Sequence, residues 1–161
     1  MKEGEYIKVS GPLGKFYFNM IDEQFMDIKN LVLIAGGLGV TPLVSILKYI
    51  AQNGLYFVNV KLIYSANTVG DFCFINDILE IMKEHSNIEC HLLTSPTEEI
   101  PKHLESILKH DRIDSNFLQK SLTSEELKNA CYYLCGPLPM VKDVSAYLQQ
   151  LSVPFDRIKF Q

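Results

Sequence analysis

Two short turns hold the residues best suited to chemistry. The first, Gly36-Gly37-Leu38-Gly39-Val40-Thr41-Pro42, follows the unbroken apolar run Leu31-Val32-Leu33-Ile34-Ala35. That run does not alternate, so it reads as a strand buried on both faces of a parallel sheet. Gly36, Gly37 and Gly39 tolerate positive φ and let backbone approach a ligand closely. Thr41 reads as a helix cap, with Pro42 at the first helical position. Leu43, Ile46, Leu47 and Ile50 then recur at helical spacing to about Ala51. One face of this helix would pack on the sheet and its N-terminus would point at the turn. Free N–H groups and the positive end of the helix dipole favour an anion there, a diphosphate above all. Taken alone, the motif is equally the plain strand-to-helix turn of a protein that binds nothing. It has neither the G-x-G-x-x-G spacing nor the Gly-Lys-Ser/Thr ending of an ATPase loop.

The second turn, Cys135-Gly136-Pro137-Leu138-Pro139-Met140, repeats that order after the apolar stretch Ala130 to Leu134: strand, glycine, then a helix opened by proline. Elsewhere the side chains offer less. His85, His91, His103 and His110 show no ligand spacing and no partnering Ser or Cys motif. Cys73, Cys90, Cys131 and Cys135 form no C-x-x-C pair and no zinc pattern, so reduced thiols are expected. Cys131 and Cys135 fall on one face of a strand, too far apart along it for a disulfide.

The elements that position these turns follow from periodicity. A second strand is expected over Val58 to Tyr64, then Ser65-Ala66-Asn67 and a helix from about Asp71 to Lys83. A third strand covers Ile88 to Thr94. Ser95 to His110 is poorly periodic, with a short helix around His103 to Leu108. Helical pieces span Phe117 to Leu127, with Ser124-Glu125-Glu126-Leu127 a start signal. A fourth strand runs from Ala130 to Cys135, a helix continues to about Leu151, and a short strand covers Arg157 to Phe160. The fold class is α/β, an open and mainly parallel five-stranded sheet with helices on both faces and ligands at the carboxyl ends of the strands. Glu5 to Ser10 and Lys15 to Phe18, joined by Gly11-Pro12-Leu13-Gly14, read instead as antiparallel β. The aromatic residues Phe16, Tyr17, Phe18, Tyr132 and Tyr133 are most simply core.

At 161 residues and 47% hydrophobic content, one proper core is expected. A formal charge of −4 without a basic block gives no footprint for nucleic acid or an anionic membrane surface. No apolar stretch reaches membrane-span length and the start Met-Lys-Glu-Gly-Glu-Tyr is not a targeting peptide, so a soluble chain is expected.

Together the two turns resemble the pyridine-nucleotide domain of the ferredoxin-NADP reductase family, whose members carry G-G-x-G-[IV]-[TN]-P and, farther on, C-G-P-x-x-M. Both stand here in order, at Gly36 to Pro42 and Cys135 to Met140. The family's Y-S-A-like end of its second strand is matched by Tyr64-Ser65-Ala66-Asn67, and its G-x-x-x-V-x-G-P-x-G-x-F lead-in by Gly4 to Phe16. The resemblance implies residues 1–27 as a remnant of a flavin-binding β-barrel, its closing strands and a linker, and 28–161 as an NAD(P)-binding domain.

It also implies a nicotinamide nucleotide whose pyrophosphate is wrapped by Gly36 to Thr41 and whose adenosine ribose meets Ser65 and Asn67. Cys135 would lie near the reactive carbon of nicotinamide, Gly136-Pro137 would leave room for its ribose, and Pro139 and Met140 would start the helix below. Ser65 and Asn67 are nearly as well explained as an ordinary polar turn, and Cys135 as a small buried apolar residue. NADH is favoured over NADPH, because Ser65-Ala66-Asn67-Thr68 offers no cation for a 2′-phosphate and Asp71 would repel one. The R-x-[YF]-[ST] flavin signature does not occur ahead of the nucleotide turn. FAD is therefore expected only with a more complete flavin domain, supplied in trans, and electrons would pass to an acceptor protein. By the same resemblance a longer parent could be mitochondrial. The function implied is the NAD(P)H-binding module of a flavin-dependent oxidoreductase, inactive alone. The alternative is a non-enzymatic nucleotide-binding or interaction module.

Overall fold

Every residue of β1 (Asn30–Gly36) is buried, as an apolar run without alternation requires for a strand covered on both faces. The computed structural model describes residues 4, 6–11, 13–20 and 28–161. After β1 come α1 (Val40–Gln52), β2 (Asn59–Ser65), α2 (Ile75–Glu84), β3 (Ile88–Thr94) and β4 (Leu108–His110). The chain continues through α3 (Ser115–Ser121), α4 (Ser124–Asn129), β5 (Cys131–Cys135), α5 (Leu138–Gln150) and β6 (Ile158–Phe160). All pairings are parallel and the strand order is β4-β3-β2-β1-β5-β6. Leu31, Leu33 and Ala35 face a core closed by α1 and α2, whereas Val32 and Ile34 face one closed by α3 and α5. Helices thus cover both faces.

The sheet has six strands rather than five. The added one, β4, lies in the Ser95 to His110 stretch, where only a 3-10 turn at Lys102–Leu104 stands in place of the expected helix. β4 is three residues long with Leu108 alone buried, too short to show a strand period. Two helix starts also shift. Thr123, not Ser124, caps α4, through a reciprocal box with Glu126. The expected Asp71 to Lys83 helix is broken, because Phe72 packs edge-on to Tyr64 at 4.9 Å and Phe74 turns left-handed at φ 59° before α2 begins.

Among the described residues before 28 none lies in a strand, so the antiparallel β expected over Glu5 to Ser10 and Lys15 to Phe18 is not formed there. Glu5, Pro12 and residues 21–27 lie outside the described residues, and with them the expected boundary near 27. Tyr6, Ile7, Val9 and Leu13 are exposed, and a lone hairpin without a covering layer is marginal in water. Phe18 is instead buried against the α1 side, Phe16 meets Tyr133 edge-on at 5.3 Å, and the Tyr133 hydroxyl donates to the Tyr17 carbonyl at 2.7 Å. Tyr17 itself stays exposed, against the expectation of core.

One buried charge ties the α4 region to the sheet. Lys61 on β2 donates to the Ser121 carbonyl at 2.6 Å and pairs with Glu126 at 2.9 Å, and Glu126 also accepts the Thr123 N–H at 2.7 Å. Removing the acid leaves the buried ammonium with the Ser121 carbonyl and the more exposed Glu89 carboxylate at 3.8 Å, which still costs a few kcal/mol, whereas replacing the ammonium by an apolar side chain of similar length costs less. Glu126→Ala should lower stability by about 3 kcal/mol and Lys61→Met by clearly less, as read from chemical denaturation midpoints.

Candidate functional site

The register sets the carboxyl ends of three strands level. Gly36 pairs with Ser65 of β2, and Ala35 with Cys135 of β5. The chain leaves β1 for β2 on one side and returns through β5 on the other, so the two motif turns flank the point where strand order reverses. Open α/β sheets place ligand crevices there.

Of the three glycines in the first turn, Gly37 alone has positive φ, at 53°, and a Cβ there would meet nothing within 4 Å. Gly36 is extended at φ −125° and Gly39 helical at φ −62°. Their smallness serves contact between the turns. A Cβ on Gly36 would meet Met140 Sδ at 2.5 Å and Pro137 Cδ at 3.0 Å, and one on Gly39 would enter the Cys135 carbonyl. On Gly136 it would lie 2.7 Å from Met140 Cε and 3.0 Å from Gly36 N.

Gly37–Gly39 form a 3-10 turn that runs directly into α1 at Val40, with Gly39 as its cap residue. Thr41 is therefore inside the helix rather than its cap, and Pro42 stands one position beyond Thr41 rather than first. The Thr41 hydroxyl donates to the Leu38 carbonyl at 2.8 Å, stitching turn to helix. The N–H groups of Gly37 and Leu38 open this helical run and have no carbonyl behind them within it.

A cleft of about 630 Å³ opens at this edge, lined by Gly36, Gly37, Leu38, Ser65, Asn67 and Pro137, with Asp71, Cys73 and Met140. A second, of about 680 Å³, shares Ser65, Ala66, Asn67 and Met140 with the first and extends to Thr94, Glu98, Arg112 and Tyr147. Gly39, Val40, Thr41, Pro42, Cys135, Gly136 and Pro139 line neither cleft, and Val40 is fully buried.

The turn after β2 is held from several sides. Ala66 N–H donates to the Leu93 carbonyl at 3.0 Å and the Thr94 hydroxyl to the Asn67 carbonyl at 3.2 Å. Asp71 Oδ2 accepts the Thr68 N–H at 3.1 Å and its hydroxyl at 2.8 Å. The side chains of Ser65 and Asn67 make no hydrogen bond among the described residues and stay available.

Cys135 is half-buried and burial pushes its thiol up, so it is a neutral thiol near pH 7 rather than a nucleophilic thiolate. Cys90, far deeper, is pushed up to about 12 by burial and by the nearby Glu89 carboxylate. Cys73, Thr94, Glu98 and Tyr147 reach the clefts without any local sequence motif to announce them. The connection after β3, unreadable by periodicity, brings Glu98 to the edge, and the link that follows β4 brings Asp111 and Arg112.

Gly39→Ala should lower stability by about 2 kcal/mol, more than Gly37→Ala, whose cost is confined to left-handed backbone strain of about 1 kcal/mol; thermal midpoints check both. Cys135 should be alkylated by iodoacetamide more slowly than a free cysteine at pH 7.5, with the rate still rising above pH 9, as followed by peptide mass spectrometry.

The family model described as the oxidoreductase NAD-binding domain matches residues 33–146. Human oxidoreductase NAD-binding domain-containing protein 1 is 34% identical over 160 residues, covering 92% of this chain and 49% of that protein. Sulfhydrogenase 2 subunit gamma of Pyrococcus furiosus is 31% identical, covering 89% of this chain and 49% of its own. The chain spans about half the length of these curated relatives. Among solved structures, the flavohem-like FAD/NAD-binding domain of nitric oxide dioxygenase from Vibrio cholerae matches with a TM-score of 0.71 at 19% identity. That match covers 92% of this chain and 54% of the other. With its fold that of a ferredoxin reductase-like nucleotide domain and the family model spanning residues 33–146, the chain belongs to the oxidoreductase NAD-binding domain family.

Proposed function

We propose that this chain binds NADH across the two joined clefts and positions its nicotinamide for hydride transfer to a flavin. The observation that carries the reading is the open left-handed Gly37 turn beside the unpaired side chains of Ser65 and Asn67. The exposed flank of Gly37 gives backbone N–H groups direct access to a diphosphate, and helix N-termini favour that charge. Gly36 and Leu38 wall the same turn. Val40, Thr41 and Pro42 act from behind it, holding the helix entry. Ser65 and Asn67 offer hydroxyl and amide groups to the adenosine ribose, and the Asp71 carboxylate disfavours a phosphate on it. Pro137 and Met140 form the opposite wall with Gly136 and Pro139 behind them, and Cys135, as a neutral thiol, would contribute volume from behind the nicotinamide end rather than a covalent bond.

When bound, the dihydronicotinamide supplies the hydride. The protein's share is orientation, because effective molarity comes from holding the donor ring against its acceptor. FAD enters this reading only through a flavin domain supplied in trans or a more complete flavin-binding segment, with an electron-acceptor protein downstream. A non-enzymatic nucleotide-binding or interaction module is the second reading. It is favoured by the finding that contact between the turns already accounts for Gly39, whose Cβ would enter the Cys135 carbonyl, without any ligand.

Calorimetric titration with NADH and with NADPH, no flavin added, should show binding with NADH the tighter ligand. Gly37→Val should weaken NADH binding by tenfold or more, because its branched side chain obstructs the turn. Gly37→Asn, which tolerates left-handed backbone, should weaken it as well while keeping the thermal midpoint near wild type. A folded chain that binds neither nucleotide rules the enzyme-module reading out.

A further inference from the structure

The cleft beyond Ser65 and Asn67 holds a fixed negative charge from a distant part of the chain. Glu98, in the connection between β3 and β4, accepts the Val69 N–H through Oε2 at 3.1 Å. Its own carbonyl accepts from His110 Nε2 at 2.7 Å, so both its side chain and its backbone are tethered. It is half-buried and lines the same cavity as Ser65 and Asn67.

We propose that Glu98 is a specificity-determining residue, a carboxylate anchored from the β3–β4 connection that excludes nucleotides carrying a phosphate on the adenosine ribose. This rests on the NADH reading above and adds a residue that local sequence around β2 does not contain. The physical argument is one of restraint. A surface glutamate free to rotate would move away from an incoming phosphate and be screened by water. Glu98 has its carboxylate bonded to the backbone of the turn that follows Ser65 and Asn67, so avoiding the phosphate means breaking that hydrogen bond.

The other charged side chains lining the cavity do not cancel it. Asp111 and Asp143 add two carboxylates and Arg112 is the one Lys or Arg in the lining. Asp71 stands in the adjoining cleft, on the same turn. A like charge held about 10 Å away at the effective dielectric of a protein surface disfavours binding by roughly tenfold, and a closer one by more. A ribose hydroxyl meets no such penalty and can donate to a carboxylate instead.

The test is calorimetric titration of wild type and Glu98→Gln with NADH and NADPH at low and high salt. Glutamine keeps an acceptor for the Val69 N–H and removes the charge. The ratio of the NADPH to the NADH dissociation constant should fall by about tenfold in the variant at low salt, and the difference between variant and wild type should shrink at high salt. Glu98→Ala, which also releases the turn, should weaken NADH binding in addition. An unchanged ratio in Glu98→Gln while wild type binds NADH overturns the role of Glu98 alone, as does a wild-type preference for NADPH. Failure of wild type to bind either nucleotide removes the NADH reading itself, and the inference with it.

Discussion

The near-contact of two backbone turns across β1 and β5 organises the rest of this molecule. Parallel pairing sets Ala35 opposite Cys135, so the chain leaves both strands at one level and the following turns compete for the same space. The competition is resolved by omitting side chains. Gly39 lies against the Cys135 carbonyl, Gly36 against Pro137 and Met140, and Gly136 against Gly36. With no Cβ between them, the turns lock at backbone distance, and the directions in which α1 and α5 leave the sheet follow from that lock. The orientation of the α1 N-terminus is therefore a by-product of packing, and whatever uses it inherits its precision.

Much of this was legible in the sequence, for reasons that differ by element. β1 and β5 are apolar runs, a signature that a strand buried on both faces cannot avoid, while β2 is interrupted by Lys61 and β3 begins by alternating, with Glu89 exposed. β4 escaped because three residues with one buried side chain carry no period. The N-terminal segment alternates like a strand, yet alternation signals a covered face only where something covers it, and Tyr6, Ile7 and Val9 stand exposed. Helix starts erred by one or two residues wherever several polar residues could serve as cap. Thr41 looks like a cap in sequence, but the 3-10 turn through Gly37–Gly39 already begins the helical run, leaving the Thr41 hydroxyl to bond back to Leu38.

Legibility of the candidate site divides in the same way. The positions of the glycines were readable, but the reason for two of them was not, since a close approach to a strand remote in sequence leaves no local trace. Gly37 alone behaves as a turn glycine, left-handed and facing open space. Ser65 and Asn67 were readable because they end a strand. Glu98 and Arg112 were not, because they stand in the connections before and after β4, whose paths are set by where β4 docks, and β4 itself was invisible.

The edge that results is electrically asymmetric along its length. Over β1 and β5 it presents the backbone N–H groups of a helix entry and a thiol kept neutral by burial, with Asp143 of α5 as its one lining carboxylate among the described residues. Over β2 and β3 it presents Asp71 and Glu98, both bonded to the backbone of one turn, with Arg112 the one lining guanidinium among the described residues. An anion is favoured at the first end and a hydroxyl-rich, uncharged group at the second. NADH carries an unphosphorylated ribose on each side of a central diphosphate, so in the NADH reading this pattern would seat the diphosphate at the first end and one ribose at the second, while the unequal shapes of nicotinamide and adenine must settle which ribose that is. Orientation is what hydride transfer would ask of the protein, and here it would rest on that difference in shape as much as on charge.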